Sequence, residues 1–318
     1  MRVTLTILAL LCFVRATAIE HEVEIPCAWG TIGATLTAPD TEADTAILIV
    51  AGSGATDRNG NSLPILNTYC YKQLAEEFSK AGFATLRYDK RAIGASAIAA
   101  EDIPNLLFDD YVADAAECVR YLRERGFRRV LIAGHSEGGL IALIVAQSGG
   151  VEVDGLVLLC APAYPIDEIL LAQLSAQLVP THIALLTSAT KTIASLKRGE
   201  RVAIEDIPQG LEPLFHPTVQ PFLINYMAYD PREVIRECDI PILVITGGRD
   251  IQITSAQGAL LAKEARNGYH IDFANMTHVL KDSDTSDRIA QTMSVYINSQ
   301  LPLTEGLAAE ITKFINKL

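Results

Sequence analysis

The chain has 318 residues, of which 49% are hydrophobic, and it carries a formal net charge of −12. An acidic surface repels phosphate backbones and anionic lipids, so this composition argues against nucleic acid as a partner. The length and the hydrophobic content suffice for one large core or two small ones.

The N-terminus has the pattern of a signal peptide. Met1 and Arg2 form a short positive region, and residues 3–14 form an apolar stretch that is too short for a stable membrane anchor. An A-x-A cleavage sequence ends at Ala18. We therefore expect residues 1–18 to be removed and the mature chain to be periplasmic or secreted; an uncleaved interfacial anchor is the alternative. The rest of the sequence has no segment long and apolar enough for a membrane span.

Cysteine usage indicates neither a disulfide framework nor a metal site. Five cysteines follow the expected cleavage point, an odd number at wide spacing, and most lie in apolar runs. Such residues commonly serve as small buried hydrophobes, although export would permit one disulfide. Zinc-type spacing and an H-E-x-x-H sequence are both missing, so we expect no metal and no cofactor. The five are Cys27, Cys70, Cys118, Cys160 and Cys238.

Two short alternating segments open the mature chain, and an alternation of strands and helices follows. Residues 21–26 and 30–37 predict an antiparallel pair of strands. Later apolar runs predict strands at residues 45–50, 84–88, 129–133, 155–160, 242–246 and 269–273. Helical spacing predicts helices at residues 71–80, 111–125, 140–147, 256–265, 287–298 and 307–317. Near-continuous apolar strands separated by helices indicate an α/β fold, with a mostly parallel sheet covered by helices on both faces.

The alternation stops between about residues 161 and 239. Residues 169–178 and 183–196 have helical patterns, and this stretch of sequence contains no convincing strand pattern. A link of about 80 residues is far longer than the usual connection between two elements. We therefore expect residues 161–239 to form a helical cap insertion over the sheet, between core segments 19–160 and 240–318.

The strongest chemical signal is a G-x-S-x-G sequence at residues 134–138, with Ser136 at its centre. It lies between the predicted strand 129–133 and the predicted helix 140–147, the context that a nucleophile elbow requires. A serine on so sharp a turn has unfavourable backbone angles, and flanking glycines avoid clashes. The helix N-terminus offers free N–H groups and partial positive charge to a developing oxyanion. The pattern predicts that Ser136 is a catalytic nucleophile.

A serine hydroxyl needs a general base, and chain order points to His278. His278 follows the last predicted strand, at the sheet edge where Ser136 also emerges. Asp250 follows the strand at 242–246 and leaves the same edge, so it is the expected carboxylate partner of His278. The structural alternatives are a loop histidine and a helix-capping aspartate. His135 adjoins Ser136, and we expect it to serve in packing or in support of the site.

A tetrahedral intermediate needs two N–H donors. Glu137, the residue after the nucleophile, would give one backbone N–H, and the Gly-rich loop after the first buried strand would give the other. We assign the second donor to Ser53, with Gly54 as the neighbour that could replace it. Gly54, Asp57 and Arg58 are also candidate substrate contacts. A surface ion pair between Asp57 and Arg58 is an equally open alternative.

Seven segments carry a family resemblance: AGSGATDRNGNS (51–62), LRYDKRAIGAS (86–96), AGHSEGG (133–139), FHPTVQPFL (215–223), YDP (229–231), PILVITGGRDIQI (241–253) and NMTH (275–278). Together they make the chain similar to bacterial α/β hydrolases of the serine aminopeptidase S33-like, EstD-type esterase group. The resemblance implies an α/β-hydrolase fold with a helical cap, a triad of Ser136, Asp250 and His278, and cleavage of carboxylic esters without a cofactor. Ala92 departs from the family pattern, which usually has glycine there.

The expected reaction is acyl transfer from a small-molecule ester to Ser136 and then to water. Six apolar residues of the insertion either favour a lipophilic acyl or aryl group or form the core of the cap. They are Ile169, Leu170, Leu174, Leu178, Phe215 and Phe222.

Three other functions stay open at the level of sequence. An exopeptidase or amidase would need a negative anchor for a substrate amine, for which Glu137 or Asp57 could serve. An acyltransferase would prefer another acceptor to water. A catalytically silent binding protein would have the hydrolase fold without the hydrolase activity.

Overall fold

The computed structural model of the protein describes residues 18–318. Its strands are β1 (Ile19–Cys27), β2 (Gly30–Ala38), β3 (Thr45–Val50), β4 (Asn61–Ser62), β5 (Leu66–Asn67), β6 (Ala84–Tyr88), β7 (Arg129–His135), β8 (Gly155–Leu159), β9 (Ile242–Gly247) and β10 (Gly268–Phe273). Its α-helices are α1 (Cys70–Lys80), α2 (Phe108–Glu124), α3 (Glu137–Ser148), α4 (Ile166–Leu178), α5 (Ile183–Lys197), α6 (Glu212–Phe215), α7 (Gln220–Tyr226), α8 (Pro231–Arg236), α9 (Ser255–Glu264), α10 (Arg288–Gln291) and α11 (Leu307–Ile315). Short 3₁₀ turns lie at Ile103–Asn105, Ile204–Asp206 and Gln209–Leu211.

Eight strands form one sheet in the order β1-β2-β6-β3-β7-β8-β9-β10. The six strands from β6 to β10 in this order are parallel to one another. Strand β2 is antiparallel to both β1 and β6. The predicted mostly parallel sheet with an antiparallel pair at its start is therefore confirmed.

Strand β3 shows why these strands are continuous apolar runs in the sequence. All six of its residues are buried. Ala46, Leu48 and Val50 join a hydrophobic cluster with residues of α2 and α3. Ile47 and Ile49 join a second cluster with residues of α1 and α11. Successive side chains of a strand point to opposite faces, so both faces must be apolar when helices cover both.

Residues 161–239 hold five helices, α4 to α8, and the structure shows no strand within them. Part of this helical segment buries its own apolar side chains in a separate cluster. The cluster includes Ala189, Ile193, Leu196, Ile207, Leu211, Phe215, Leu223 and Met227. Phe215 thus belongs to the core of the segment, whereas Phe222 packs against Phe108 of the main body.

The predicted helix at residues 287–298 is helical over residues 288–296, but it is not one regular α-helix. The structure has only the short helix α10 and a π-helical turn at Thr292–Tyr296. Gln291 is buried there because its side-chain amide donates to two backbone carbonyls. Three apolar side chains of this segment are exposed: Ile289, Met293 and Ile297.

Among residues 18–318, no helix is both long enough and apolar enough to cross a membrane. The five cysteines in this part of the chain are free thiols, and all except the half-buried Cys27 are buried. The predicted signal peptide, apart from Ala18, lies outside the described residues.

Replacing Phe215 with alanine should lower the free energy of unfolding by about 3 to 5 kcal/mol, because a fully buried aromatic ring leaves a cavity. Urea denaturation followed by circular dichroism measures this difference. Ile183→Ala is the control, because Ile183 is 59% exposed in α5 and its loss should cost no more than about 0.5 kcal/mol. Equal losses for the two variants would contradict a separate core in the helical segment.

Candidate active site

Four predicted site residues lie just after strands, at the same edge of the sheet. Ser136 follows β7, Asp250 follows β9 by three residues, and His278 follows β10 by five. Ser53 follows β3, which is parallel to β7 and adjacent to it. Because the carboxyl ends of parallel strands share one edge, the topology brings these residues together.

Ser136 lies on a strained turn between β7 and α3. Its φ of 53° and ψ of −119° fall outside the regions that side chains favour. A Cβ at Gly134 would lie 2.2 Å from the carbonyl oxygen of Gly138, and a Cβ at Gly138 would lie 2.3 Å from that of Val50. Real Cβ atoms do not approach so closely, so the turn can form only with glycine at both positions.

Asp250 and His278 form a buried hydrogen-bonded pair. His278 Nδ1 lies 2.8 Å from Asp250 Oδ2. The other oxygen of Asp250 accepts from the backbone N–H groups of Gln252, at 2.7 Å, and Ile253, at 2.9 Å. Burial alone would raise the pKa of Asp250, but His278 and the two N–H groups lower it below its usual range. The ionised carboxylate accepts the Nδ1 proton, which leaves Nε2 of His278 as a proton acceptor.

Ser136 and His278 face one cavity of about 420 Å³. The described chain offers the Ser136 hydroxyl no hydrogen bond, which is common for a catalytic group without substrate. The residues that line the cavity come from the loop after β3, the β7–α3 turn, helix α4 and other segments: Gly52, Ser53, Gly54, Thr56, Gly60, Leu66, Cys70, Tyr71, His135, Ser136, Glu137, Pro162, Ile166, Ile169, Leu170, Gln173, Leu214, Tyr226, Gln252, Ile253, His278, Val279 and Tyr296.

The two backbone N–H groups predicted to stabilise an oxyanion are both available. Ser53, in the loop after β3, and Glu137, the first residue of α3, both line the cavity. Within residues 18–318, neither N–H donates a hydrogen bond to another residue. Gly52 packs against Ser136, since a Cβ on it would lie 3.2 Å from Ser136 Cβ. Both donors are therefore free to bind a ligand oxygen beside Ser136.

A chain of buried hydrogen bonds joins the loop after β3 to the loop of His278. Of the two side chains in it, Tyr71 and His135, the sequence predicted a supporting role only for His135. The backbone N–H of Gly52 donates to the Tyr71 hydroxyl at 3.1 Å. That hydroxyl lies 2.8 Å from His135 Nδ1, and His135 Nε2 lies 2.7 Å from the carbonyl oxygen of His278. A carbonyl only accepts, so His135 carries its proton on Nε2 and Tyr71 donates to Nδ1. His135 therefore supports the site, as expected, through a partner that no motif marks.

Burial holds His135 in its neutral form. Desolvation, together with the nearby His278, lowers the pKa of His135 to about 3. A neutral imidazole ring has one donor and one acceptor, which is what its hydrogen bonds to the Tyr71 hydroxyl and the His278 carbonyl require.

The carboxylate of Glu137 is already occupied. Its Oε1 lies 3.0 Å from the Lys90 ammonium, and both side chains are almost fully buried. Its Oε2 accepts from the Ser53 hydroxyl at 3.0 Å. Lys90 was not among the predicted site residues, although it lies in the segment 86–96 that carries part of the family resemblance.

The three predicted substrate contacts do not lie together. Gly54 lines the cavity, but Asp57 and Arg58 do not. Asp57 instead accepts from two backbone N–H groups of its own loop, at 2.8 Å and 2.9 Å. Arg58 forms ion pairs with Asp89 and Glu22. This placement is a correction: both residues stabilise the loop, and they form no ion pair with each other.

One cluster of potential metal ligands lies in the described part of the chain: His135, Cys160 and His278, with ligand atoms within 4.8 Å of one another. Both nitrogens of His135 are already hydrogen-bonded. Burial, with a contribution from Asp250, raises the pKa of the Cys160 thiol, which disfavours the thiolate that binds metals. These residues do not fit a metal ion.

A serine on the turn after a central parallel strand, with a carboxylate and a histidine after later strands, defines the α/β-hydrolase class. The family described as Serine aminopeptidase, S33, matches residues 67–280, and the chain belongs to that family. Among individual proteins, it is 27% identical over 240 residues to Esterase EstD of Thermotoga maritima. The match covers 74% of this chain and 54% of that protein, so the chain spans about half the length of this relative.

Solved structures of the same fold cover nearly the whole chain. Est1E from Butyrivibrio proteoclasticus with bound ferulic acid has a TM-score of 0.59 at 15% identity, covering 93% of this chain and 98% of that one. Proline iminopeptidase from Mycobacterium smegmatis has a TM-score of 0.60 at 14% identity, with the same coverages of 93% and 98%. The Pyrococcus furiosus esterase Pf2001 has a TM-score of 0.59 at 15% identity, with coverages of 94% and 91%. At these identities the likeness concerns the fold alone.

His135 should make the protein less stable in mild acid. Its pKa falls from 6.5 to about 3 on folding. The unfolded chain therefore binds the extra proton between these values, and the free energy of unfolding should fall with pH by at most about 1.4 kcal/mol per unit. Urea denaturation between pH 7.5 and 4.5 measures the slope.

His135→Gln is the comparison, because glutamine does not titrate. Its curve should run parallel to the wild-type curve above pH 6.5 and should be shallower below it. Identical slopes for the two proteins down to pH 4.5 would contradict the neutral His135.

Proposed function

We propose that the protein is an exported serine hydrolase that cleaves carboxylic esters of small molecules. One observation carries this proposal: an unpartnered serine hydroxyl, a histidine oriented by a buried carboxylate and two free N–H groups border a single, mainly apolar cavity. These are the parts that acyl transfer through a serine requires.

In the proposed mechanism, Ser136 Oγ attacks the ester carbonyl carbon while Nε2 of His278 takes the hydroxyl proton. Asp250 stabilises the resulting imidazolium, and the N–H groups of Ser53 and Glu137 bind the oxyanion. The C–O bond to the alcohol then breaks, and His278 gives its proton to the leaving oxygen. Water repeats these steps on the acyl-enzyme, which releases the carboxylic acid and regenerates Ser136.

The charges of the cavity favour an ester over a peptide with a free amine. A site that binds a substrate ammonium needs an unpaired carboxylate, because a buried charge must be compensated. Glu137 is the one acidic residue among those that line the cavity, and Lys90 and Ser53 already bind both of its oxygens. Asp57, the other anchor considered from the sequence, does not line the cavity. The name of the relative EstD agrees with this preference.

Helix α4 and its neighbours suggest a lipophilic acyl or aryl group. Ile166, Ile169, Leu170 and Leu214 line the cavity from the helical segment 161–239. We propose that this segment is a cap on the core formed by residues 19–160 and 240–318. A cavity of about 420 Å³ lies at the small end of the range for ligand sites, which favours short or medium acyl groups.

Hydrolysis of p-nitrophenyl esters of two to eight carbons, compared with aminoacyl p-nitroanilides, tests the proposed reaction. We expect faster cleavage of the esters, covalent labelling by a fluorophosphonate, and loss of about 10³-fold or more in kcat for Ser136→Ala. Ser148→Ala is the control, because Ser148 lies at the far end of α3 and does not line the cavity, so this variant should still be labelled. Faster cleavage of the anilides would overturn the ester assignment. A folded wild type that the fluorophosphonate does not label would instead indicate a catalytically silent binding protein.

Export is the second part of the proposal. The positive residues, the short apolar stretch and the A-x-A sequence before position 19 support cleavage after Ala18. Expression of the full chain in a Gram-negative host, followed by fractionation and N-terminal sequencing, should give Ile19 as the first residue outside the cytoplasm. Arg2→Glu with a charged residue in place of Leu8 should keep the protein in the cytoplasm. An intact Met1 on an exported or membrane-bound protein would contradict cleavage.

A further inference from the structure

Lys90 is a buried cation that the proposed mechanism does not use. It lies two residues after β6, and its side chain is 1% exposed. Its ammonium donates to the carbonyl oxygen of Gly52 at 2.6 Å and to Glu137 Oε1 at 3.0 Å, and it lies 5.0 Å from the centre of the Tyr111 ring. A lysine is almost never fully buried unless it is paired, and here Glu137 and the Gly52 carbonyl are the partners of the ammonium.

The contact with Gly52 fixes the direction of a neighbouring N–H. A trans peptide is planar, so its C=O and N–H point in opposite directions. The carbonyl of Gly52 belongs to the same peptide unit as the N–H of Ser53. Because Lys90 holds that carbonyl on one side, the N–H of Ser53 points to the other side, away from the ammonium.

Gly52 is held at both of its polar atoms. Lys90 binds its carbonyl oxygen, and the Tyr71 hydroxyl accepts from its N–H at 3.1 Å. A glycine next to a cavity would otherwise have wide conformational freedom. These two contacts keep the peptide between Gly52 and Ser53 from rotating.

Glu137 completes the arrangement. One of its oxygens binds Lys90, and the other accepts from the Ser53 hydroxyl at 3.0 Å. The side chain of one proposed donor residue is therefore hydrogen-bonded to the side chain of the other. This bond limits the separation of the two backbone N–H groups, and Lys90 neutralises the charge that the bond brings into the interior.

We propose that Lys90 is a positioning residue for the oxyanion hole: through the Gly52 carbonyl and the Glu137 carboxylate it aims the N–H of Ser53 at the substrate oxygen. This inference rests on the proposed function. Without Lys90, rotation of the peptide would turn a carbonyl oxygen towards the oxyanion and remove a donor. Loss of one such donor costs about 10²- to 10³-fold in kcat, so partial misalignment should cost about 10- to 100-fold.

Lys90→Met keeps the length of the side chain but removes its charge and its hydrogen bonds. The double variant Lys90→Met/Glu137→Gln also avoids leaving an unpaired buried carboxylate, and it retains both backbone N–H groups. Ser53→Ala keeps Lys90 and its pairing but removes the bond between the donor residues. Lys197→Met is the matched control, because Lys197 also binds a backbone carbonyl and a carboxylate, of Met227 and Asp167, and does not line the cavity.

Two inhibitors distinguish positioning from a general structural role. Butaneboronic acid forms a tetrahedral adduct with Ser136 whose oxygen occupies the oxyanion hole, whereas p-nitrophenyl butyl ether has no carbonyl and uses only the cavity wall. For p-nitrophenyl butyrate, kcat should fall about 10- to 100-fold in the double variant, with KM changed by no more than about threefold. The Ki of the boronic acid should rise by the factor that kcat/KM loses, and the Ki of the ether should stay unchanged.

Ser53→Ala should lose about fivefold in kcat, the effect of one hydrogen bond, and Lys197→Met should retain the wild-type kcat. Circular dichroism and thermal melting establish that each variant is folded, and the double variant and Ser53→Ala decide the matter if Lys90→Met unfolds. A folded double variant with kcat within about twofold of wild type, or with unchanged boronic acid affinity, would overturn the positioning role alone. A wild type that does not hydrolyse esters at all would overturn the proposed function and this inference with it.

Discussion

The close contact between the β7–α3 turn and the end of β3 is the constraint on which the rest of the site depends. The turn carries Ser136, and Gly138 within it lies against the backbone of Val50. This approach brings Ser136, the N–H of Glu137 and the loop that follows β3 close together. Backbone packing of an apolar core therefore assembles the reactive geometry, and the polar side chains hold it in place.

Sequence patterns predicted the parts of the structure that follow local rules. Buried parallel strands need apolar residues on both faces, so Thr45–Val50 was found with its limits as the structure has them. Parallel strands also share a carboxyl edge, so chain order sufficed to bring Asp250 and His278 together. The segment 287–298 is helical as predicted, but apolar spacing shows neither that its second half is π-helical nor that Ile289 and Met293 are exposed.

The supporting network had no such local signal. Lys90 and Glu137 are 47 positions apart, and Tyr71 and His135 are 64 apart. Pairs at these separations follow no period, and a lysine or a tyrosine by itself suggests only a surface or a core residue. Arg58 shows the opposite error: its place beside a Gly-rich loop suggested a ligand contact, whereas Asp89, from another strand end, binds it. The fold and the convergence of Ser136, Asp250 and His278 at one sheet edge were thus predictable, and their polar support was not.

The helical segment 161–239 has a consequence for how this protein can change. Its side chains form much of the cavity wall, yet it buries a core of its own, and the network around Gly52 comes from other parts of the chain. Substitutions at Ile169, Leu170 or Leu214 can therefore alter the shape of the wall without touching the groups that hold Ser136, Ser53 and His278. Such separability makes the segment a natural place for specificity to diverge under selection, and a suitable region to randomise when a hydrolase for a new acyl group is sought.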